Sequence, residues 1–203
     1  AAKPVLRRAP VMAQAASAIQ GAQTADQGKG GKLLVEHKKG NAVAEASSQG
    51  PLCDRRFDPP KAIRIALPAG RTMRERSAPS HEERWRWVNL WAAWCKPCIE
   101  EMPLLVRWAR PGAERPQPLF VSLDDDERQL RRYLDGQGAT LDADILWVQD
   151  EAARSAFFEA MGVDDPPALP VQALLDPQGR LRCVRVGSVS EADLMRALDA
   201  FSF

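Results

Sequence analysis

The run Trp85-Arg86-Trp87-Val88-Asn89-Leu90-Trp91 is the densest aromatic and β-branched stretch of the chain, and it leads straight into Ala92-Ala93-Trp94-Cys95-Lys96-Pro97-Cys98. A run of that kind is expected as a strand buried on both faces. Its continuation opens a helix expected to reach about Trp108, so a pair of cysteines at C-x-x-C spacing falls at a strand-to-helix junction. Strands and helices then alternate. Leu119–Leu123, Ile145–Val148, Val171–Leu175 and Leu181–Val186 read as strands, and Glu127–Leu134 and Glu151–Met161 as helices. Asp176-Pro177-Gln178-Gly179 supplies a turn between the last two strands. Ser190 caps a final helix through Ala200, with Glu191 and Asp193 in its first turn. The alternation predicts an α/β fold, and the closing β-β-α makes the central sheet mixed, flanked by helices.

The N-terminal quarter has a different texture. Residues 1–52 are rich in Ala, Gln, Gly, Ser and Lys, lack aromatics, and carry Gly28-Lys29-Gly30-Gly31. They are expected as a flexible or weakly structured leader, with one short helix within Pro10–Gln23. The domain proper is placed at 53–203. Its first strand is expected at Ala62–Leu67, where apolar and polar residues alternate before Pro68-Ala69-Gly70. The formal net charge of +1 gives no reason to expect nucleic acid or an anionic membrane as partner. No run of about 18 apolar residues is present, so no membrane span is expected. The sequence starts at Ala1 without the apolar core of a signal peptide, which fits a leader already processed or a trimmed sequence.

A C-x-x-C pair serves several chemistries. Haem attachment requires His after the second cysteine, and here Ile99 follows. A zinc site requires two more ligands at short spacing, whereas His37, His81, Cys53 and Cys183 are all solitary. A peroxidase would place Thr or Ser shortly before its cysteine, and Ala92, Ala93 and Trp94 stand there. Redox exchange fits better. If the helix begins near Cys95, the two sulfurs lie one turn apart, close enough for a disulfide. The positive end of the helix and the charge on Lys96 favour a thiolate. Cys95, at an exposed tip, is then the nucleophile, and Cys98 resolves the mixed disulfide. Pro97 removes a donor that a first helical turn does not use.

The segment Val88-Asn89-Leu90-Trp91-Ala92-Ala93-Trp94-Cys95-Lys96-Pro97-Cys98-Ile99-Glu100-Glu101-Met102-Pro103 resembles the active-site segment of the thioredoxin superfamily, in its TlpA/ResA-type branch of exported thiol-disulfide oxidoreductases. Leu90 stands where the branch usually has Phe. The resemblance covers about residues 57–203 and implies a thioredoxin-like fold with an extra β-α insertion, to which Leu119–Leu134 and Ile145–Met161 contribute. It implies that Asn89 replaces a buried Asp of cytosolic thioredoxins. It implies that Glu101 lies near the dithiol and tunes its acidity, although a solvated helix-face carboxylate is the bland alternative. Glu100 is taken as surface. Leu169-Pro170-Val171 resembles the family's cis-proline segment, which would offer the Leu169 backbone to a substrate peptide; Pro166 and Pro167 are rivals for that place. Trp94 is expected to shield the thiolate and touch substrate, with Lys96 and Pro97 beside it.

The resemblance further implies a protein-disulfide reductase. Its partners would be protein disulfides or dithiols and an upstream thiol donor, in cytochrome c maturation or a metallation pathway. No cofactor and no metal are implied. The implied location is periplasmic or otherwise exported, with membrane tethering through a removed or missing N-terminal segment, and the implied role is in cell redox homeostasis. A non-catalytic binding module within a larger assembly is the alternative. Cys53 and Cys183 are read either as a second, structural disulfide or as buried free thiols.

Overall fold

The computed structural model describes residues 50–74, 84–109, 115–137 and 141–201. The expected leader outside Gly50–Leu52, its short helix and the two histidines lie outside these residues. The elements are β1 (Arg55–Arg56), β2 (Arg71–Arg74), β3 (Arg86–Trp91), α1 (Lys96–Ala109), β4 (Gln117–Ser122), α2 (Glu127–Gln137), β5 (Asp144–Trp147), α3 (Glu151–Met161), β6 (Val171–Leu175), β7 (Leu181–Val186) and α4 (Glu191–Ala200). The strands form one sheet in the order β1-β7-β6-β3-β4-β5-β2. β3, β4 and β5 run parallel, while β6, β7, β1 and β2 pair antiparallel to their neighbours. The sheet is therefore mixed, with β3 at its centre.

Period-two alternation along β3 sorts the core into two layers. Trp87 and Trp91 face a cluster with Cys95, Cys98, Met102 and Leu105 of the α1 segment, Leu130 and Leu134 of α2, and Leu194 of α4. Val88 and Leu90 face the other way, onto Phe157, Phe158 and Met161 of α3. Asn89 shares the α1 side and is wholly buried there, a polar residue at the middle of an apolar strand.

The helices have identifiable ends. Asp150 caps α3 by accepting the Ala153 N–H at 2.7 Å, and Gly162 closes it in the left-handed region at φ 63°. Arg55 donates to the carbonyls of Gly162 and Met161 at that terminus, at 2.6 and 2.7 Å. Ser190 and Asp193 form a capping box at the start of α4.

Two sequence expectations need amendment. Ala62–Leu67 is not a strand: only Arg64 bridges to Arg180, and of the alternating residues only Ile65 is buried. Among the described residues its backbone hydrogen bonds reach only the β6–β7 turn and the start of β7, through Ile65 N–H to the Gly179 carbonyl and Leu181 N–H to the Ile63 carbonyl, while the Ile65 side chain packs into the core. Pro59, Pro60 and Pro68 beside it have no N–H with which to extend a ladder. The second concerns Cys53 and Cys183, left open between bridge and free thiols. They are joined, with Cα atoms 5.4 Å apart, and the bond fastens the chain just before β1 to β7. Leu52 packs half-buried against the core beside them.

Candidate active site around Cys95 and Cys98

The two cysteines of the C-x-x-C pair are disulfide-bonded, their Cα atoms 5.3 Å apart, at the start of α1. β3 ends at Trp91, and a tight turn closed by Cys95 N–H to Ala92 carbonyl at 3.0 Å delivers Cys95 to the helix. Cys95 occupies the capping position: its carbonyl accepts the Ile99 N–H, and its sulfur accepts the Cys98 N–H at 3.3 Å. A sulfur thus fills the place that a serine or aspartate oxygen takes at other helix starts. Any negative charge on it on reduction meets an N–H and the positive end of a 14-residue helix. Pro97 sits in the first turn, as its missing donor permits.

The exposure of the pair differs from expectation. Cys95 was expected at an exposed tip, yet it is only 4% exposed, and Cys98 is fully buried. The bond draws the Cys95 sulfur inward against Cys98, and Leu169 and Ala93 pack around the cluster. The exposed member of the segment is Trp94, at 61%. Trp94 is therefore not a core residue, unlike Trp87 and Trp91. Lys96 points into solvent and pairs loosely with the exposed Glu100 at 3.6 Å.

Glu101, one turn beyond Cys98 on α1, is buried. The reading of it as a solvated helix-face carboxylate is therefore wrong. Its Oε1 accepts from the Asn89 amide at 2.7 Å and from the Gln172 amide at 2.7 Å, and its Oε2 accepts the Val189 N–H at 2.9 Å. Gln172 is itself held, since its Oε1 accepts from the Trp87 indole at 2.7 Å and from Asn89 at 3.0 Å. Burial pushes the Glu101 carboxyl above its ordinary range, against the pull of these three N–H groups and of Arg185. Among the described residues Asn89 Oδ1 has no hydrogen-bond partner. A small cavity of about 220 Å³, lined by Pro97, Glu101, Leu104 and Val189, opens beside the carboxylate.

The Leu169–Pro170 peptide bond is cis. Asp165–Pro166 is cis as well, so isomer alone does not separate the rival prolines. Position does: Pro170 leads directly into β6, whose Val171 lies opposite Leu90 of β3, and this sets Leu169 and Pro170 beside the chain that leaves β3 for Cys95. On the far side of Trp94, a cleft of about 480 Å³ runs between the β4–α2 and β5–α3 loops and the segment 165–169.

Sequence reasoning passed over two site residues. Gln172 is the only polar residue in Val-Gln-Ala-Leu-Leu of β6, and a buried amide amid apolar neighbours was its signal. Asp124 is buried just after β4 and accepts the Ala93 N–H with both carboxylate oxygens at 3.0 Å, pinning the turn that carries Trp94. Burial raises its carboxyl as well, against that N–H and the Ser122 hydroxyl. Nothing in the run Asp124-Asp125-Asp126 marks the first acid as the inward one.

No protein-family model matches the chain. By sequence it is 27% identical over 115 residues to the thioredoxin-like protein YneN of Bacillus subtilis, covering 55% of this chain and 62% of that one. It is 24% identical over 131 residues to the thiol-disulfide oxidoreductase ResA of Geobacillus thermodenitrificans, covering 63% and 68%. The chain thus spans about six to seven tenths of the length of these relatives. Among solved structures, a secreted thiol-disulfide isomerase from Corynebacterium glutamicum superposes with a TM-score of 0.56 at 19% identity, over 74% of this chain and 91% of that one.

Proposed function

We propose, from the premise that this chain has the thioredoxin-like fold and is similar to ResA-type proteins, that it is a thiol-disulfide oxidoreductase reducing disulfides of specific partner proteins. The observation that carries the reading is the Cys95–Cys98 disulfide itself, set at a helix start that favours a thiolate, with the cis Leu169–Pro170 bond alongside. In the reduced form, the Cys95 thiolate attacks one sulfur of a partner disulfide. One partner cysteine leaves as a thiolate and takes up a proton, and a mixed disulfide remains. Cys98, as thiolate, then attacks the Cys95 sulfur, and the second partner cysteine leaves. Two electrons pass to the partner, and the Cys95–Cys98 bond is re-formed. A thiol donor must then return the pair to the dithiol.

Within this reading Trp94, Lys96, Pro97, Leu169 and Pro170 form the face that meets the partner. Leu169 offers backbone for strand-like pairing. Glu101 is the residue through which the Cys98 proton is adjusted, since it lies one helical turn away on the same buried face. Residues 1–52 serve as a tether. The setting is exported, and cytochrome c maturation or a metallation pathway is the context. The Cys53–Cys183 bond suits an oxidising compartment, and no described helix is long and apolar enough to cross a membrane.

The test is the reduction potential of the Cys95–Cys98 pair, from equilibration with dithiothreitol or glutathione and alkylation of free thiols. A value at or below about −250 mV is expected of a reductant. A value near about −120 mV reverses the direction of electron flow. Absence of any reversible couple leaves a binding module and removes the enzyme.

A further inference from the structure

The cleft beyond Trp94 has a shape and a charge that the thiol chemistry does not use. Its apolar surface comes from the exposed Trp94 ring, Leu123, Phe158, Pro166, Pro167 and Leu169. Two of these, Trp94 and Leu169, also border the dithiol, so the cleft continues from the reacting sulfurs. It lies just past the carboxyl ends of the parallel strands β4 and β5. That is the crevice where open α/β sheets receive ligands.

Its rim is acidic. Asp125 reaches it from the β4–α2 loop, Glu151 from the first turn of α3 and Asp165 from the α3–β6 loop, and Arg154 is the one cation among its lining residues. That arginine is already spent. Its Nε donates to the Val148 carbonyl at 2.7 Å, and its two Nη groups donate to Asp125 at 2.9 Å and to the Asp124 carbonyl at 3.2 Å. Glu151 has no ion-pair partner among the described residues, and Asp165 is held only by the Ser155 hydroxyl, at 2.5 Å. The rim thus keeps two carboxylates without an ion-pair partner among the described residues, over an apolar floor.

We propose that this cleft selects partners: it receives the stretch beside the target cysteine when that stretch carries an apolar side chain next to a lysine or arginine. The inference rests on the oxidoreductase reading and narrows its substrate class. The apolar side chain lies on Leu123, Phe158 and the Pro166–Pro167 pair, while the cation meets Glu151 and Asp165. An acidic stretch is repelled by the same two carboxylates.

The experiment uses the full chain, reduced with dithiothreitol and desalted. Two peptides are compared, each with one cysteine blocked as a mixed disulfide with 2-mercaptoethanol, one flanked by Leu-Lys and one by Leu-Glu. Hydroxyethyl disulfide serves as a substrate too small to reach the cleft. At low ionic strength the lysine peptide should be reduced about tenfold faster. That ratio should shrink severalfold near 0.5 M salt, where the Debye length falls to about 4 Å. Glu151→Lys should bring the ratio close to one, and Glu151→Gln should give an intermediate value. Both should leave the hydroxyethyl disulfide rate within about twofold, which also shows that the variants are folded. Equal rates for the two peptides at low salt overturn the proposal, as does a ratio unmoved by Glu151→Lys. Failure to reduce even hydroxyethyl disulfide overturns the oxidoreductase reading itself, and this inference with it.

Discussion

Replacing Gln172 by leucine tests whether the polar cluster beneath the dithiol is held together as its geometry implies. The side chain is buried, and four bonds end on it: Trp87 and Asn89 donate to its oxygen, and its nitrogen donates to Glu101 and, at 3.5 Å, to the Gly187 carbonyl. Leucine is similar in volume, so little cavity forms. Loss of the N–H bond to the carboxylate costs about 1.5–3 kcal/mol, and the Trp87 indole left without an acceptor costs a further ~1–3 kcal/mol. Burying the leucine side chain returns about 1.5–3 kcal/mol. The net loss at pH 7 is therefore about 2 kcal/mol, which at a urea slope of ~2 kcal/mol/M lowers the midpoint by about 1 M. The pH dependence is the sharper part. Glu101 already titrates above its ordinary value of 4.5, and losing a donor raises it further. At pH 4 the folded protein carries Glu101 protonated, so the bond lost there is between neutral groups, worth ~1 kcal/mol less. Urea unfolding followed by tryptophan fluorescence at pH 7 and pH 4, with disulfides intact, measures both values. A penalty equal at the two pH values, or below about 0.5 kcal/mol at pH 7, would refute the argument.

Three further outcomes follow from the same kind of reasoning. Burial acts to raise Asp193, but the N–H and hydroxyl of Ser190 together with Arg196 and Arg185 hold it down at about 2, from 3.8. A depressed carboxylate stabilises the fold above its unfolded value, so about 2 kcal/mol should be lost as pH falls from about 4 through about 2. Acid unfolding of Asp193→Asn should lack that loss. Cys53→Ser with Cys183→Ser opens a loop of sequence separation 130 and should cost up to about 5 kcal/mol on the chain-entropy relation, read by urea unfolding with the Cys95–Cys98 bond intact. Asp124→Ala frees the Ala93 N–H and should cost about 1–3 kcal/mol. It should also slow reduction of peptide disulfides more than that of hydroxyethyl disulfide, since Trp94 is then no longer fixed.

The elements that were legible in the sequence are those whose pattern and punctuation agree. Val171–Leu175 and Leu181–Val186 fall where a turn of Asp, Pro and Gly separates two apolar runs, and Glu151–Met161 where Asp150 and Gly162 bracket a periodic stretch. Ala62–Leu67 shows the converse. It has the alternation of a strand, but pairing is settled by what stands alongside, and only a turn stands there. The site was legible where chemistry is local: Cys95, Cys98 and Pro97 announce themselves by spacing. Glu101 and Gln172 lie 71 residues apart and meet only because β6 pairs with β3 over α1, so no local signal links them. The burial of Cys95 was illegible for a related reason, since it depends on the bond to Cys98 and on Leu169 arriving from a distant segment.

The two strands at the rims of the sheet are β1, Arg55–Arg56, and β2, Arg71-Thr72-Met73-Arg74. Both are short, β2 has an irregular register between Thr72 and Arg74, and four of their six residues are arginine. A free sheet edge is a template on which another copy can add a strand, and brevity, bulging and charge are the means by which proteins blunt it. Here the guanidinium groups of Arg56 and Arg71 also lie over the rings of Phe201 and Trp147, at 4.8 Å each, which fixes the charge at the border. On the proposed reading, in which an extended peptide pairs with the Leu169 backbone, strand-like pairing is offered beside the dithiol and not along these two borders. Short, bulged and charged borders guard the sheet against polymerising through the same hydrogen-bonding mode that the proposed site would use to bind.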